Sequence, residues 1–162
     1  MTDSRAHAAS AKNQPEQGAN RGTIGYVRVS TEEQAREGVS LDAQEAALTA
    51  YAQFHNLSLT YVIRDAGASG KDLRRPGIQE LLGLVQAEEV HTLLVYRLDR
   101  LSRRTRDLLE LVERFEGAGV SLHSIHEHLD TQTAVGRFVL RTLASLAEME
   151  RDLVVERTRE AL

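Results

Sequence analysis

Arg28 and Ser30 stand two residues apart in the segment YVRVS, where apolar and polar residues alternate as in a half-buried strand. Side chains two residues apart on a strand point to the same face, so a guanidinium and a hydroxyl are expected side by side. Arginine grips phosphate through two parallel hydrogen bonds and stabilises the charge that builds up when a hydroxyl attacks phosphorus. The pair therefore predicts an anion site in which a serine attacks a phosphate.

Charged residues also follow the ends of the next two predicted strands. Asp65 closes the second strand, and Asp99 and Arg100 follow the third. Ligands of open parallel sheets bind outside the carboxyl ends of the strands, so these residues are expected at one edge with Arg28. We expect Arg28 to point into a polar crevice shared with Asp65 and Asp99. The alternative is that Arg28 simply forms an ion pair with either aspartate and has no chemical role. However, the arginines outnumber the aspartates at this edge, and they would repel one another unless a further anion joined them.

The arginines are unevenly distributed along the sequence. The net charge of −4 would by itself argue against a nucleic-acid partner. However, five arginines lie within ten residues and are opposed there only by Asp99, so a local cationic patch is expected on an otherwise acidic protein. Arginines three and four residues apart share one face wherever that segment is helical. The five are Arg97, Arg100, Arg103, Arg104 and Arg106.

Alternating strand and helix patterns predict an α/β fold. The elements indicate a mostly parallel central sheet of about four to five strands that is flanked by helices. Ser40 is a plausible N-cap for the first helix, and Pro76 opens the second. Strands are predicted over residues 23–29, 57–64, 92–96 and 120–125, and helices over 40–55, 76–88 and 105–116, the last ended by Gly117.

The two ends of the chain differ from this α/β body over residues 23–132. Residues 1–22 have no sizeable apolar side chain beyond Met1, so a disordered tail is expected. Residues 133–162 lack proline, have one glycine and carry apolar residues at helical spacing. A helix of that length spans about 40 Å, more than the width of such a domain. Its distal half is therefore expected to contact a second subunit or a nucleic-acid groove.

Composition excludes several other classes. The sequence has no cysteine, which excludes disulfides and thiolate metal sites, and no apolar run approaches the length of a membrane span. Neither a membrane partner nor export from the cytoplasm is therefore expected. His123, His126 and His128 with Glu127 form a compact group, but no metal-motif context surrounds it. A structural or solvated histidine cluster is the preferred interpretation, and no metal or cofactor is predicted.

Five segments follow one another in a characteristic order along the chain: YVRVSTEEQ, SLDAQ, RDAGASGKDLRRPG, YRLDRLSRRTRDLLELVE and TAVGRFVLRTLASLAEMERDLVVERT. Together they resemble the catalytic domain of the serine site-specific recombinases, the family of resolvases, invertases and large serine integrases. The resemblance covers residues 23–162. The stretch EEQAREGV is longer than in small resolvases and is similar to the large integrases and related transposases.

The resemblance implies a role for each residue that matches a family motif. Ser30 matches the nucleophile, and Glu156 and Arg157 match a pair on the long helix near dimer and DNA contacts. Arg104 joins that pair as a candidate for DNA or dimer contact. The remaining matches to the catalytic motifs are Arg28, Gln44, Asp65, Ser69, Arg75, Asp99, Arg100 and Arg103.

The resemblance also implies a mechanism without metal ions or ATP. Ser30 attacks a backbone phosphate of double-stranded DNA, forming a phosphoserine bond to the 5′ end and freeing a 3′ hydroxyl. Homodimers then exchange half-sites within a tetramer and reverse the chemistry. The group that takes the serine proton stays open, with Asp99 or an arginine as candidates. Family members carry a DNA-binding region after the long helix, so the chain is expected to be a catalytic portion truncated before it.

Two other functions compete with recombination. The anion pocket would also serve a phosphatase or phosphodiesterase that acts on small substrates, although the overlong C-terminal helix argues against this. A non-catalytic dimerisation or regulatory module of the same fold is the third hypothesis, and the complete set of arginines around Ser30 argues against it. The recombinase hypothesis places the protein in the cytoplasm of a bacterium, encoded by the bacterium, a phage or a mobile element, and associated with the nucleoid.

Overall fold

A computed structural model describes residues 21–37, 39–67 and 70–162. Five strands form one sheet in the order β2-β1-β3-β4-β5, in which the first four are parallel and the last is antiparallel. This confirms the predicted α/β class. Residues 1–20 of the predicted tail and the predicted site residue Ser69 lie outside the described residues. The strands are β1 (Gly22–Val29), β2 (Leu59–Ala66), β3 (Val90–Val95), β4 (Ser121–Ser124) and β5 (Leu129–Asp130).

Helices cover both faces of the sheet. Ser40 caps the second helix as predicted, accepting a hydrogen bond from the Ala43 N–H at 3.1 Å. Pro76 occupies the first position of the third, where its missing N–H costs nothing. The helices are α1 (Thr31–Glu37), α2 (Leu41–Phe54), α3 (Pro76–Gln86), a 3₁₀ turn (Leu98–Arg100), α4 (Thr105–Gly117) and α5 (Ala134–Glu160).

The structure differs from the predicted elements at several points. Helix α1 and strand β5 were not predicted, the first because it has only seven residues and the second because two residues show no period. Strand β2 begins two residues late, because the Leu57 N–H still donates to the Ala52 carbonyl behind α2. The predicted helix stop, Gly117, is still helical and is the last residue of α4. Gly119 turns the chain instead, with φ of 71° in the region that favours glycine.

Strand β3 forms the centre of the core. Its residues 92–95 are all buried, as expected for a parallel strand covered on both faces. Leu93 and Val95 pack in the larger cluster with α3 and α4, whereas Leu94 joins the smaller cluster with Leu48 of α2. This double burial holds the end of β3, and the 3₁₀ turn that follows it, at a fixed position beside β1.

Helix α5 leaves the body of the protein early. Of its 27 residues only Gly136 and Leu140 are buried, and its packing contacts are with α4 and β5. The predicted long C-terminal helix is confirmed. No helix in the described ranges is both long and apolar enough to cross a bilayer. The large apolar residues that α5 exposes are Val135, Phe138, Val139, Leu143, Leu146, Met149, Leu153, Val154 and Val155.

Two glycines of α3 are expected to respond oppositely to alanine. The Gly77 N–H donates to Asp65 Oδ1 at 2.9 Å, and a Cβ at Gly77 would clash with that carboxylate. Gly77→Ala is therefore expected to lower the free energy of unfolding by about 1 to 3 kcal/mol. Gly83 has nothing within 4 Å of its Cβ position, so Gly83→Ala is expected to be neutral or stabilising by up to about 1 kcal/mol. Urea unfolding of both variants measures the difference, and equal stabilities would contradict this packing.

Candidate active site

The carboxyl ends of β1, β2 and β3 meet at one edge of the sheet. Arg28, near the end of β1, is paired in register with Asp65 on β2, and Ser30 follows β1 directly. The 3₁₀ turn that contains Asp99 and Arg100 follows β3 on the other side of β1. The parallel topology thus brings these sequence-distant residues to one place, as the strand order requires.

Arg28 is wholly buried and binds a carboxylate that sequence reasoning did not identify. Its two terminal nitrogens donate to the two carboxylate oxygens of Glu33 at 3.0 and 3.1 Å. It also donates to the backbone carbonyls of Asp99 and Arg100, both at 3.0 Å. Arg28 lies at the edge where β2 places Asp65 and the 3₁₀ turn places Asp99, and α1 brings the Glu33 carboxylate to it as well. Burial lowers the pKa of Arg28, and the hydrogen bonds and charge of Glu33 oppose that shift.

Glu33 joins three guanidiniums. Besides Arg28, its carboxylate pairs with Arg100 at 3.0 Å and accepts a hydrogen bond from Arg103. The side chain is only 4% exposed. Burial by itself would raise the pKa of Glu33, but hydrogen bonds from the Ser30 N–H, Arg103 and Arg28 lower it to about 2. The anion required by the excess of arginine is therefore a side chain of the protein in this structure.

Ser30 and Glu33 form a capping box at the start of α1. The Ser30 hydroxyl accepts from the Glu33 N–H at 3.2 Å, and the Ser30 N–H donates to Glu33 Oε2 at 2.8 Å. The pattern S-x-x-E is visible in the sequence and is the signal that would have located both α1 and Glu33. The proposed nucleophile is therefore held by the same carboxylate that holds the arginines.

The half-buried Ser30 lines a cavity of about 240 Å³ at the surface. Arg103 and Lys71 are the cationic side chains in its lining. Gly70 also lines it, and a Cβ there would lie 2.7 Å from Arg28 Nη2 and 3.0 Å from Arg103 Cγ. Glycine suits this position because the Arg28 guanidinium and the Arg103 side chain approach the backbone so closely.

Gln44 and Arg100 fix the backbone of β1 next to the serine. The Gln44 amide donates to the Arg28 carbonyl at 2.9 Å and accepts from the Arg28 N–H at 3.4 Å. Arg100, 1% exposed, donates to the same carbonyl at 3.3 Å and pairs with Asp99 at 3.3 Å. Both side chains hold the strand end, and in this conformation Gln44 contacts backbone groups.

Asp65 and Arg75 belong to a second buried network. Asp65 accepts from the Tyr26 hydroxyl at 2.6 Å and pairs with Arg75 at 3.5 Å. Arg75 donates to the Tyr26 oxygen at 2.7 Å and to the carbonyls of Arg100 and Leu101. Burial raises the pKa of Tyr26, the charge of Arg75 lowers it, and the Asp65 hydrogen bond raises it further. This network ties β1, β2 and the 3₁₀ turn together. It lies beside the arginine cluster, which consists of Arg28, Arg100 and Arg103 around Glu33.

A family model described as Resolvase, N terminal domain, matches residues 23–162. The chain belongs to this family. It is 41% identical over 139 residues to the Transposon Tn917 resolvase of Enterococcus faecalis, covering 86% of this chain and 68% of that protein. It is 40% identical over 139 residues to a DNA-invertase of Enterobacteria phage P7, covering 86% of this chain and 67% of the invertase.

Solved structures support the same assignment to the resolvase family. The N-terminal catalytic domain of TP901-1 integrase matches with a TM-score of 0.75 and 40% identity, over 82% of this chain and 98% of that one. A resolvase family site-specific recombinase from Streptococcus pneumoniae matches with a TM-score of 0.71 and 28% identity, over 87% and 95% of the two chains. The resemblance noted in the sequence is confirmed, and this resolvase-family chain is a serine recombinase catalytic domain. A small-substrate phosphodiesterase and a non-catalytic module are not favoured.

Other predicted residues of this resolvase-family domain lie outside the arginine cluster. Arg104 is exposed and lines a neighbouring cavity with Lys71 and Arg74. Glu156 and Arg157 are exposed in the last turns of α5.

The histidine group of this resolvase-family chain makes contacts within the fold. His123 contacts the Tyr51 hydroxyl at 3.0 Å and Asp130 at 3.4 Å, while Glu127 accepts from the Leu98 N–H. Burial lowers the pKa of His123, against the charge of Asp130. Within residues 21–37, 39–67 and 70–162, no three histidine or carboxylate side chains are placed to share a metal ion.

Proposed function

We propose that this chain cleaves and rejoins double-stranded DNA through a covalent bond between Ser30 and the 5′ phosphate of the cut strand. The observation that supports this most is the surroundings of one hydroxyl. Ser30 opens onto a cavity with Arg103 and Lys71, and Glu33 links Arg103 to the buried guanidiniums of Arg28 and Arg100. Cationic side chains around a hydroxyl favour its attack on a phosphodiester, because they stabilise the negative charge that develops in the transition state.

The proposed reaction conserves bond energy. Ser30 loses its proton as its oxygen forms a bond to phosphorus, and the bond from phosphorus to the 3′ oxygen breaks. That 3′ oxygen takes up a proton and becomes a free hydroxyl. Attack by another 3′ hydroxyl on the phosphoserine reverses these steps and restores the serine, so no nucleotide hydrolysis is required. Arginine side chains would stabilise the negative charge of the transition state, as divalent cations do in other phosphoryl transferases.

The DNA backbone is proposed to approach across the two cavities beside Ser30. Lys71 lines both of them, Arg103 lines the first, and Arg74 and Arg104 line the second. These side chains come from the loop before α3 and the segment before α4, and they lie among the carboxylates of Glu32 in the first cavity and of Asp72 and Asp107 in the second. Phosphate contacts of this kind position DNA without reading its sequence. Since the proposed substrate is DNA, the chain is proposed to act in the bacterial cytoplasm.

Helix α5, within the predicted 133–162 segment, is proposed to mediate assembly into a homodimer, with a tetramer as the active complex. Its exposed apolar side chains recur at helical spacing along the part that leaves the body, beyond Leu140. A stripe of this kind is stabilised when a second copy covers it. Glu156 and Arg157 lie on the same helix and are proposed to act near the partner or the DNA.

Replacement of Leu146 by glutamate is expected to weaken self-association at least about tenfold, because the new charge would lose its hydration in the interface. Ser145→Glu is the matched control, since Ser145 is the exposed neighbour that only bonds the Arg141 carbonyl one turn earlier. Sedimentation velocity over a concentration series measures both variants. An unchanged profile for Leu146→Glu would contradict assembly through this stripe.

Covalent capture of DNA tests the proposed function. The chain is incubated with duplex suicide substrates of resolvase-type crossover sites that carry a nick beside the cleavage position. A protein–DNA adduct is expected on a denaturing gel. With excess chelator the yield is expected to change less than about twofold, because arginines supply the charge stabilisation. Loss of the adduct on chelation would contradict metal-independent chemistry, and its absence in all conditions would contradict the proposed function.

A further inference from the structure

Glu33 accepts the hydrogen bonds of guanidinium groups that the proposed reaction needs for binding a phosphate. Arg28 directs both terminal nitrogens at the Glu33 carboxylate and has no exposed surface. Arg103, the guanidinium that lines the cavity, donates to the same carboxylate. A planar carboxylate held by several guanidiniums has the charge and the acceptor pattern of a bound phosphodiester.

Glu33 also restrains the nucleophile. Through the capping box its carboxylate binds the Ser30 N–H, while its own N–H donates to the Ser30 hydroxyl. One side chain therefore holds the serine and its arginines in a single closed arrangement. Withdrawal of this carboxylate would release donors of Arg28 and Arg103 and the Ser30 N–H in one movement.

We infer that Glu33 is an internal substitute for the scissile phosphate, which keeps the unassembled chain inactive until its carboxylate leaves the guanidiniums. This inference rests on the proposed function. The phosphate is expected to enter from the Ser30 cavity, and α1, a helix of seven residues, is the element that moves with Glu33. A merely structural ion pair would act in the opposite direction, because its loss would disorder the arginines and weaken phosphate binding.

Glu33→Gln separates these two roles, with inorganic phosphate as the probe. The amide keeps the size of the side chain but removes the charge that competes with phosphate. We expect Glu33→Gln to bind phosphate at least about tenfold more tightly than the wild type, measured by calorimetry. Glu32→Gln is the control, since Glu32 lines the same cavity and is exposed; we expect it to change phosphate affinity less than about threefold. Equal or weaker phosphate binding by Glu33→Gln would overturn the inference.

A measurement on the wild type covers the case in which Glu33→Gln does not fold. Hydrogen exchange of the α1 amides is compared without phosphate and at saturating phosphate. Faster exchange at saturation is expected because the capping box opens, and unchanged or slower exchange would overturn the inference.

Adduct formation separates this inference from the proposed function. If the wild type captures DNA but Glu33→Gln binds phosphate no better, the inference fails and the function stands. If Glu33→Gln binds phosphate more tightly but neither protein captures DNA, the proposed function fails and the phosphate site stands.

Discussion

Ser30→Ala is expected to lower covalent capture of DNA by at least about a thousandfold, because no other group can form the phosphoserine bond. The variant keeps the arginines and the cavity, so non-covalent association with DNA is expected to change little. Capture is measured as the adduct on a denaturing gel with a nicked substrate.

Ser40→Ala is the matched control for this loss. Ser40 caps α2 through the Ala43 N–H as Ser30 caps α1 through the Glu33 N–H, so each variant loses one N-cap. Each is expected to cost about 1 kcal/mol of stability. Ser40→Ala is expected to form the adduct at the wild-type rate, provided that both variants are folded by circular dichroism. An undiminished adduct in Ser30→Ala would contradict the assignment of the nucleophile.

Arg28→Ala is expected to be the most destabilising substitution in the cluster. Arg28 is fully buried, binds Glu33 through two nitrogens and donates to the carbonyls of Asp99 and Arg100. Its removal takes one donor from each of these acceptors and opens a cavity between β1 and the 3₁₀ turn. Breaking a buried pair in this way costs about 3 to 5 kcal/mol.

Arg64→Ala is the control, because it removes an arginine that pairs with two carboxylates at the surface. Arg64 is 41% exposed and binds Asp42 and Glu45. Its loss is expected to cost much less than the loss of Arg28, because solvent screens exposed pairs. The free energy of unfolding of both variants is measured by urea denaturation, with one m-value fitted to all the proteins. A cost for Arg28→Ala no larger than that for Arg64→Ala would show that the buried network does not hold the fold together.

The fold was largely predictable from the sequence because its elements carry strong local patterns. The apolar run of β3, the serine cap of α2 and the proline that opens α3 each reflect a constraint acting within a few residues. The edge of the sheet at which Arg28, Asp65 and Asp99 meet followed from the parallel topology alone.

The partners within the site were not predictable in the same way. Sequence position predicted two aspartates at the edge with Arg28, but it did not predict Glu33, which the seven-residue α1 brings to that arginine. Short helices give no periodic signal, and the pairing of a buried arginine depends on side-chain directions that strand order does not define. The S-x-x-E pattern was the one local clue, and its meaning for the arginines emerges only from the three-dimensional arrangement.

The most direct measurement is mass spectrometry of the peptide that remains attached to DNA after capture. Trypsin cuts after Arg28 and Arg36, and the peptide over residues 29–36 contains Ser30 and one other hydroxyl, on Thr31. After nuclease digestion of the DNA, fragmentation is expected to place the nucleotide phosphate on Ser30. A phosphate attached to Thr31, or to any residue outside this peptide, would contradict the claim that the arginine cluster serves the Ser30 hydroxyl.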